Sequence, residues 1–443
     1  MELSIQAFEA LVLDAAKQEG ISPAEICVSG TESFRAGARE GKLEEYQVSD
    51  SLSVTLRGKV GERIGTASTQ ALDEESVRLL IQGVKDSAEL IETDEQDEIL
   101  PPDDHYESVV NYKEELEAIP AEDKIALAME IDRRVTQADA RLKADRSVVS
   151  SSSSTFSLRN TLGLDLSHRS NLIFAYSCAL AREGEDTASG MKIKWGYGMD
   201  AVKAEDVALG CAQDALSKLH AGRLASGEYP VVIRNGAMAD LLTTFSGIFS
   251  ADNAQQGLSL LGGREGEKIA SDCVTLTDDP LMPWGLGSSP FDREGAATYT
   301  KNVIEGGVLK TLLHNRKTAK KAGVRTTGNA AGGGRVAPSN LFIAAGDASV
   351  DDLLAELGDG LYLTEVSGLH AGANAVSGDF SLLSRGFEVK GGKIARAVEQ
   401  FTVAGNFYKL LESVERVGSD LLFEGSPIGC PSVRVTGLSV AGE

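Results

Sequence analysis

The glycines of this chain are concentrated in its second half, and this is the feature that most restricts its fold. Residues 226–443 contain 32 of the 47 glycines, and residues 1–225 contain the other 15. A glycine-rich segment changes direction often, which is typical of short strands joined by tight turns. Two pairs, Gly306-Gly307 and Gly391-Gly392, are each flanked by strand-like apolar residues, a pattern that predicts β-hairpins. The second half is therefore predicted to be a mainly antiparallel β domain.

The first half mixes helical and strand-like patterns. Apolar residues with helical spacing predict helices near residues 5–15, 73–84, 121–139 and 204–220, and further helices near 235–249 and 406–417 accompany the later strands. Alternating patterns predict strands at 52–57 and 63–68 and within 147–198. The predicted class is α+β, with N-terminal α/β segments followed by a glycine-rich, mainly antiparallel β domain.

The length of 443 residues is too great for one ordinary core and predicts two or three domains. Residues 89–107 hold nine acidic residues, no Lys or Arg and the pair Pro101-Pro102, which is typical of a linker. We therefore divide the chain into 1–100, 101–225 and 226–443. The run Ser150–Ser154 has two interpretations, a flexible linker or a strand of small residues.

The net charge of −23 argues against direct contact with nucleic acid or with an anionic membrane surface. One short basic run, Arg316–Lys321, is explained equally well as a solvated helix end. The first residues carry no basic segment of a signal peptide, and no apolar run approaches the roughly 20 residues of a membrane span. Five scattered cysteines without a CxxC pair predict a reduced, cytoplasmic protein.

Local catalytic motifs are absent from the sequence. The five histidines stand at least 52 residues apart, so the chain has no HExxH-type zinc pair. Residues 328–335 form a glycine-rich run that could wrap an anion, although a surface loop is the preferred interpretation. Gly437-Leu-Ser439 is better explained as a C-terminal strand than as a nucleophile elbow.

Two segments are less easily explained by structure alone. Residues 365–381 place His370, Asn374, Gly378 and Asp379 among small residues, which lets a backbone approach a ligand closely. A structural turn, in which the histidine has hydrogen-bond partners within the fold, explains this segment equally well. Cys430 stands in a tight Gly-Cys-Pro step, where its thiol is either exposed or a small buried hydrophobe.

Six ordered segments of the second half resemble the TldD/PmbA family, also known as modulators of DNA gyrase. They are Phe291–Gly295, Pro338–Leu341, Gly360–Leu363, His370–Asp379, Gly378–Ser381 and Phe401–Asn406. The resemblance implies three successive segments, an α+β fold, and dimers that enclose an internal cavity. It also implies cleavage of extended or unfolded peptides by the zinc-bearing members.

The same resemblance defines what this chain lacks. Zinc-bearing members carry His-Glu-x-x-x-His on a helix early in the third segment, with a C-terminal Cys as a further ligand. Here Thr243, Thr244 and Ile248 stand at those three positions, which we call the motif positions, and Cys430 falls near the Cys. None of the three can supply an imidazole ligand or a general base at neutral pH. This departure is characteristic of the PmbA/TldE-like branch, so we assign no catalytic or metal-binding residue, with Cys430 a weak candidate ligand.

These observations lead to one expected function and two alternatives. We expect a metal-free subunit of a TldD/PmbA-type peptidase assembly, either a homodimer or a heterodimer with a zinc-bearing paralogue. Zinc is expected in that partner and no cofactor in this chain. His370, Asn374, Gly378 and Asp379 are expected to line the internal cavity and contact an unfolded peptide. The alternatives are an autonomous hydrolase, with Cys430 as nucleophile or a dispersed metal site, and a non-enzymatic regulator that binds proteins.

Overall fold

Strands from the first two predicted domains form one antiparallel sheet. The computed structural model describes residues 3–90 and 98–442. The strands of this sheet are β1 (Ala24–Arg39), β2 (Lys42–Val60), β3 (Arg63–Thr69), β4 (Leu142–Asn160), β5 (Asp165–Glu183) and β6 (Asp186–Gly196). Their order is β3-β2-β1-β4-β5-β6. Because β1 pairs with β4 over most of its length, the first two predicted domains share this sheet.

One face of this sheet is covered by helices. They are α1 (Ile5–Gln18), α2 (Glu74–Leu90), α3 (Glu114–Glu117), α4 (Ala121–Ala138) and α5 (Ala204–Ser217), with a 3₁₀ turn at Met199–Ala201. Phe8 and Val12 of α1 are fully buried in one apolar cluster with Ile26 of β1. Ile131 and Val135 of α4 belong to a second cluster, over β4 and β5. Apolar residues at helical spacing thus meet the alternating apolar residues of the strands, and burial of both stabilises this layer.

The opposite face of the sheet is rich in hydroxyl groups. In the strand register, Thr31 of β1 lies opposite Ser51 of β2 and Ser154 of β4, and Ser154 lies opposite Ser170 of β5. Residues two apart on a strand share a face, so the hydroxyls continue along these strands. We call this surface the hydroxyl face; its members are Ser29, Thr31, Ser33, Ser49, Ser51, Ser53, Ser150, Ser152, Ser154 and Ser170.

The last part of the chain builds two further sheets. Its strands are β7 (Gly227–Ile233), β8 (Leu276–Asp278), β9 (Lys301–Glu305), β10 (Val308–Leu309), β11 (Leu341–Ile343), β12 (Gly360–Ser367), β13 (Asp379–Lys390), β14 (Lys393–Asn406), β15 (Val414–Val417), β16 (Ile428–Gly429) and β17 (Val433–Ala441). One sheet has the order β14-β13-β12-β7-β17-β15, and β14 also pairs with β17, which closes five of the strands into a ring. The other sheet has the order β10-β9-β8-β11-β16. Apart from the parallel pairs β7–β12 and β11–β16, their described ladders are antiparallel.

The helix that follows β7 is at the centre of this region. The helices are α6 (Asn235–Phe245), α7 (Ala251–Gln255), α8 (Arg316–Ala322), α9 (Val350–Leu357), α10 (Leu369–Gly372) and α11 (Phe407–Glu412), with 3₁₀ turns at Ser246–Phe249 and Gly332–Gly334. Phe245 of α6 is fully buried, and its ring stacks on that of Phe407 with centroids 4.7 Å apart. The residues of α6 therefore hold fixed positions against the closed ring of strands.

The architecture confirms the α+β class and the mainly antiparallel second half. Both glycine-pair hairpins are present, as β9–β10 and β13–β14. Ser150–Ser154 lies inside β4, so the strand interpretation is confirmed. The helix predicted over 406–417 is wrong in its second part: it ends at Glu412, and Val414–Val417 form β15, because pairing with β17 outweighs local helical spacing.

The predicted acidic linker lies partly outside the described residues. Residues 91–97 of it lie outside the described residues. Beyond them, residues 98–113 run as irregular chain along the third region, to which Tyr106 and Asn111 donate hydrogen bonds at the Gly295 and Ser288 carbonyl oxygens, both 2.9 Å long. Over the part of the chain that the structure describes, no helix is long and apolar enough to cross a membrane.

Candidate functional site

The motif positions lie at the end of α6 and in the 3₁₀ turn that follows it. The Thr243 hydroxyl donates to the Ala239 carbonyl oxygen at 2.7 Å, and the Thr244 hydroxyl donates to the Asp240 carbonyl oxygen at 2.9 Å. Ile248 is 1% exposed and belongs to the core of the third region. Two of the three side chains therefore donate hydrogen bonds to their own helix, and the third is apolar. They do not fit a zinc ion, which needs imidazole, thiolate or carboxylate ligands.

Cys430 lies just after β16, against which α6 packs, so the fold brings the C-terminal cysteine near the helix that carries Thr243 and Thr244. Its side chain is fully buried, and this burial raises the pKa of the thiol far above its ordinary value. The thiolate form, which is both the nucleophile and the metal ligand, is thus strongly disfavoured. The exposed-thiol interpretation of Cys430 is wrong, because the residue is 0% exposed and belongs to the core of the third region. Among residues 3–90 and 98–442, no three His, Cys, Asp or Glu residues are grouped to hold a metal.

An acidic group that the sequence did not indicate also lies on α6. The pKa of Asp240 is raised to about 6, mainly because neighbouring protein partly desolvates its carboxyl group, although the residue is exposed, and further because Glu424 is near. Arg234 opposes this effect, and its Nη2 lies 3.6 Å from Glu424 Oε2. Lys192 of β6 approaches the other oxygen of Glu424, also at 3.6 Å. Asp240 can therefore exchange a proton close to neutral pH, beside a cluster of charges that joins β6 to the third region.

The segment around residues 370–379 forms a closed turn. Asn374 Oδ1 accepts from the backbone N–H groups of Val376 and Ser377, and Asp379 Oδ1 accepts from the Asn406 side chain at 2.8 Å. Gly378 has φ of +81°, in the left-handed region that favours glycine. His370 lies on α10 and is exposed. These hydrogen bonds give the Asn374 and Asp379 side chains a structural role within the turn. Their contact with a peptide stays a prediction.

A cavity of about 470 Å³ lies where the hydroxyl face meets residues 286–339 of the third region. We call it the junction cavity. Its sheet wall includes Thr31, Ser154 and His168, and its other wall includes Arg293 and Asn329. Burial lowers the pKa of the His168 imidazole, which keeps it neutral at pH 7, and the Arg293 guanidinium acts in the same direction. The site therefore combines hydroxyls, a neutral imidazole, an amide and one guanidinium.

Two buried carboxylates fix the loops of the junction cavity. Asp292 accepts from the backbone N–H groups of Glu294, Ala296 and Ala330 at 2.9–3.0 Å, which ties the Phe291–Gly295 segment to the glycine-rich run 328–335. Burial raises the pKa of Asp292 to about 6. Asp278 forms an ion pair with Lys301 and also accepts from Asn329 Nδ2 at 2.8 Å. The Phe-Asp-x-Glu-Gly step of the sequence thus has a structural role in shaping this cavity.

Comparison with known proteins gives the family. Models of the PmbA/TldA metallopeptidase domain 1, central domain and C-terminal domain match residues 24–88, 114–222 and 226–442. The crystal structure of a proposed modulator of a DNA gyrase from Thermotoga maritima has a TM-score of 0.93 and 32% identity, over 99% of this chain and 100% of that chain. The chain belongs to the PmbA/TldD family. Its match extends through all three domains of the family, as the resemblance in the sequence implied.

Other relatives have the same extent. Metalloprotease PmbA of Escherichia coli O157:H7 is 28% identical over 98% of this chain and 95% of its own length. Metalloprotease MJ0996 of Methanocaldococcus jannaschii is 26% identical over 90% of each chain. TldE from Thermococcus kodakarensis shares the fold, with a TM-score of 0.90, 98% and 100% coverage and 21% identity. The family thus contains members named as metalloproteases, whereas the motif positions of this chain carry no zinc ligand.

The sequence did not indicate His168, Arg293 or Asn329 as members of one site. His168 lies on β5, Arg293 stands within the Phe291–Gly295 segment, and Asn329 is in the glycine-rich run. The one sequence feature that pointed to this site was the glycine-rich run 328–335, which could wrap an anion. The alternation of β5 could have placed His168 on the hydroxyl face, but the packing of the third region against this sheet was needed to bring Arg293 to the same cavity.

Proposed function

We propose that this chain is the metal-free subunit of a PmbA/TldD-type peptidase assembly that acts on extended or unfolded peptides. Its expected partner is a paralogue that carries the His-Glu-x-x-x-His motif and the zinc. The other possible partner is a second copy of this chain, in a homodimer whose function would differ. In the heterodimer this chain would complete the internal cavity and hold part of the substrate.

The observation that carries this proposal is the state of the motif positions. Thr243 and Thr244 use their hydroxyls on backbone carbonyls of α6, and Ile248 is packed into the core. Cys430, which follows a strand packed against α6, is buried and its thiol pKa is raised. Activation of water by zinc requires three protein ligands and an open position, and this part of the fold provides neither. Retention of the whole family fold without these groups supports a role in assembly and binding.

The β architecture supports an extended peptide as substrate. Residues Lys42–Ser53 of β2 pair with β1 on one side, whereas β3 covers the other side of β2 only from Val54 onward. Within the described residues this leaves an open strand edge, with backbone groups that an extended chain can pair with. The adjacent hydroxyl face is polar and largely uncharged, which suits peptides of varied sequence.

Reconstitution tests the proposal. Unfolded casein is incubated with this chain alone, with a zinc-bearing paralogue alone, and with the two together. We expect no hydrolysis by this chain alone, full activity of the mixture, and loss of that activity when the paralogue's motif Glu is changed to Gln. Stoichiometric zinc and chelator-sensitive hydrolysis by this chain alone would contradict the proposal and favour the autonomous hydrolase. A matched control adds this chain unfolded beforehand, which should not restore activity.

A further inference from the structure

We infer that the junction cavity binds the C-terminal carboxylate and last peptide bond of a peptide chain, with Arg293 as the group that binds the carboxylate. The choice of a peptide as ligand rests on the proposed function. The binding chemistry itself rests on the polar groups of the cavity.

Arg293 is a cation, and no anion among the described residues forms an ion pair with it. Its guanidinium lies over the Phe156 ring, 4.0 Å from the centroid, and its backbone N–H donates to the Ala330 carbonyl oxygen. Among the ion pairs of the described residues, which extend to 4.0 Å, none involves Arg293. Stacking on an aromatic ring orients the planar guanidinium and leaves the N–H groups in its own plane free to donate. Such a fork matches both oxygens of a carboxylate.

Two buried polar atoms in the walls lack a hydrogen-bond partner among the described residues. Asn329 is 2% exposed; its Nδ2 donates to Asp278 and Ala337, whereas its Oδ1 has no hydrogen-bond partner. His168 Nε2 is also buried without a partner. An unpaired acceptor such as Asn329 Oδ1 requires a ligand that donates a hydrogen bond. A simple carboxylate cannot donate, but the N–H of the last peptide bond can.

The charges and size of the cavity agree with this ligand. Asp292 also lines it, but both of its carboxylate oxygens already accept backbone N–H groups. The volume of about 470 Å³ lies in the range of small-ligand sites and accommodates one or two residues of a peptide. Thr31, Ser154 and Ser170 connect the cavity to the rest of the hydroxyl face. A longer peptide can therefore continue from its bound terminus across that face.

Binding to the full chain alone tests the inference. Isothermal titration compares N-acetyl-tetra-alanine with a free C-terminal carboxylate against the same peptide with a C-terminal amide. We expect the free acid to bind at least about tenfold more tightly, because a charge-assisted bidentate pair is lost in the amide. The variant Arg293→Gln should abolish this preference. The control Arg63→Gln, which alters an exposed arginine of the edge strand β3, should keep it.

Equal affinity for acid and amide, a preference that survives Arg293→Gln, or no binding up to 10 mM would each overturn the inference. Acetate and N-acetyl-alanine amide serve as fragments of the ligand. If acetate alone competes as well as the tetrapeptide, the site takes small acids and the peptide assignment is wrong. Because no paralogue and no hydrolysis are involved, failure here is distinct from failure of the reconstitution experiment.

Discussion

Lys301 Nζ lies 3.0 Å from Asp278 Oδ2 in an ion pair whose two side chains are almost completely buried. Lys301 also donates to the Thr327 carbonyl oxygen at 2.9 Å, and Asp278 Oδ1 accepts from the Ser339 backbone N–H at 2.7 Å. The pair therefore holds both ends of the segment 327–339, which forms one wall of the junction cavity. Two strands, β8 and β9, supply the charges, so a rigid sheet positions this loop.

Removing one member of that ion pair should strongly destabilise the fold. For Lys301→Met we expect a loss of roughly 3–5 kcal/mol in the free energy of unfolding, because Asp278 stays buried without its cation. The exposed pair Lys310–Glu305, with atoms 3.3 Å apart, provides the control, and Lys310→Met should cost less than about 1 kcal/mol. Urea unfolding followed by circular dichroism measures both. Equal losses in the two variants would contradict the structural role given to Lys301.

Asp292 should make stability depend on pH in a defined direction. Its folded-state pKa of about 6 lies above the ordinary value of 3.8, so the folded chain holds this proton more tightly than the unfolded chain. The resulting stabilisation is fully present below about pH 4 and is lost as the pH rises through 6. At 1.36 kcal/mol per unit, the loss is on the order of 3 kcal/mol.

Asp292→Asn removes this titration and is the reference for the measurement. The stability of the wild type relative to the variant should fall between pH 4 and pH 7, as measured by urea unfolding at several pH values. A difference that is constant, or that grows with pH, would show that burial does not control this carboxyl group. Using the difference cancels the contributions of the other titrating groups.

Restoring the zinc motif should damage the fold and should not create a metal site. We expect the triple variant Thr243→His, Thr244→Glu, Ile248→His to lose roughly 2–5 kcal/mol, because Ile248 is an apolar core residue and an imidazole there is left without partners. Thr243→His alone alters an exposed residue and should change stability by about 0.5 kcal/mol or less. Thermal unfolding and zinc titration check both variants. Tight binding of one zinc by a stable triple variant would be the contrary result.

The turn at Gly378 should tolerate no side chain. In Gly378→Ala, a Cβ would lie 2.5 Å from Tyr408 Cδ2, and φ is +81°. Gly368 has a similar φ of +76° but open space around the added atom. Both variants should lose roughly 1–2 kcal/mol from the left-handed backbone, and Gly378→Ala a further 1–3 kcal/mol from the contact. Thermal unfolding of the pair separates the two effects, and equal losses would mean that the Tyr408 ring moves aside freely.

Thiol labelling distinguishes Cys430 from a reactive nucleophile. Cys273 is exposed, whereas Cys430 is buried with a raised thiol pKa. In the native chain at pH 7.5 we expect iodoacetamide to modify Cys273 readily and to leave Cys430 unmodified, and urea should make both reactive. Peptide mapping by mass spectrometry measures each site. Rapid native modification of Cys430 would revive the hypothesis of a catalytic cysteine.

The elements with strong local patterns were predictable from the sequence, and those set by long-range pairing were not. The pairs Gly306-Gly307 and Gly391-Gly392 carry their own turn geometry, so both hairpins could be located. Residues 414–417 read as part of a helix because their partner strand lies near residue 435. The candidate site was likewise predictable only where its residues are close in sequence. Asn374 and Gly378 are local neighbours and could be grouped, whereas His168 and Arg293 line one cavity only because a loop of the third region packs against the first sheet.

The pairing of β1 with β4 has a consequence for how this protein can be divided. The ladder runs from Glu25–Asn160 to Ala38–Ser147, so two stretches of chain separated by more than a hundred residues are joined along most of a strand. A protease cut between residues 98 and 113 would leave two fragments that co-purify. Likewise, a chimaera that exchanges only residues 1–100 with a relative must form this ladder from strands of two different family members. The smallest segment that can be transplanted between family members therefore contains both β1 and β4.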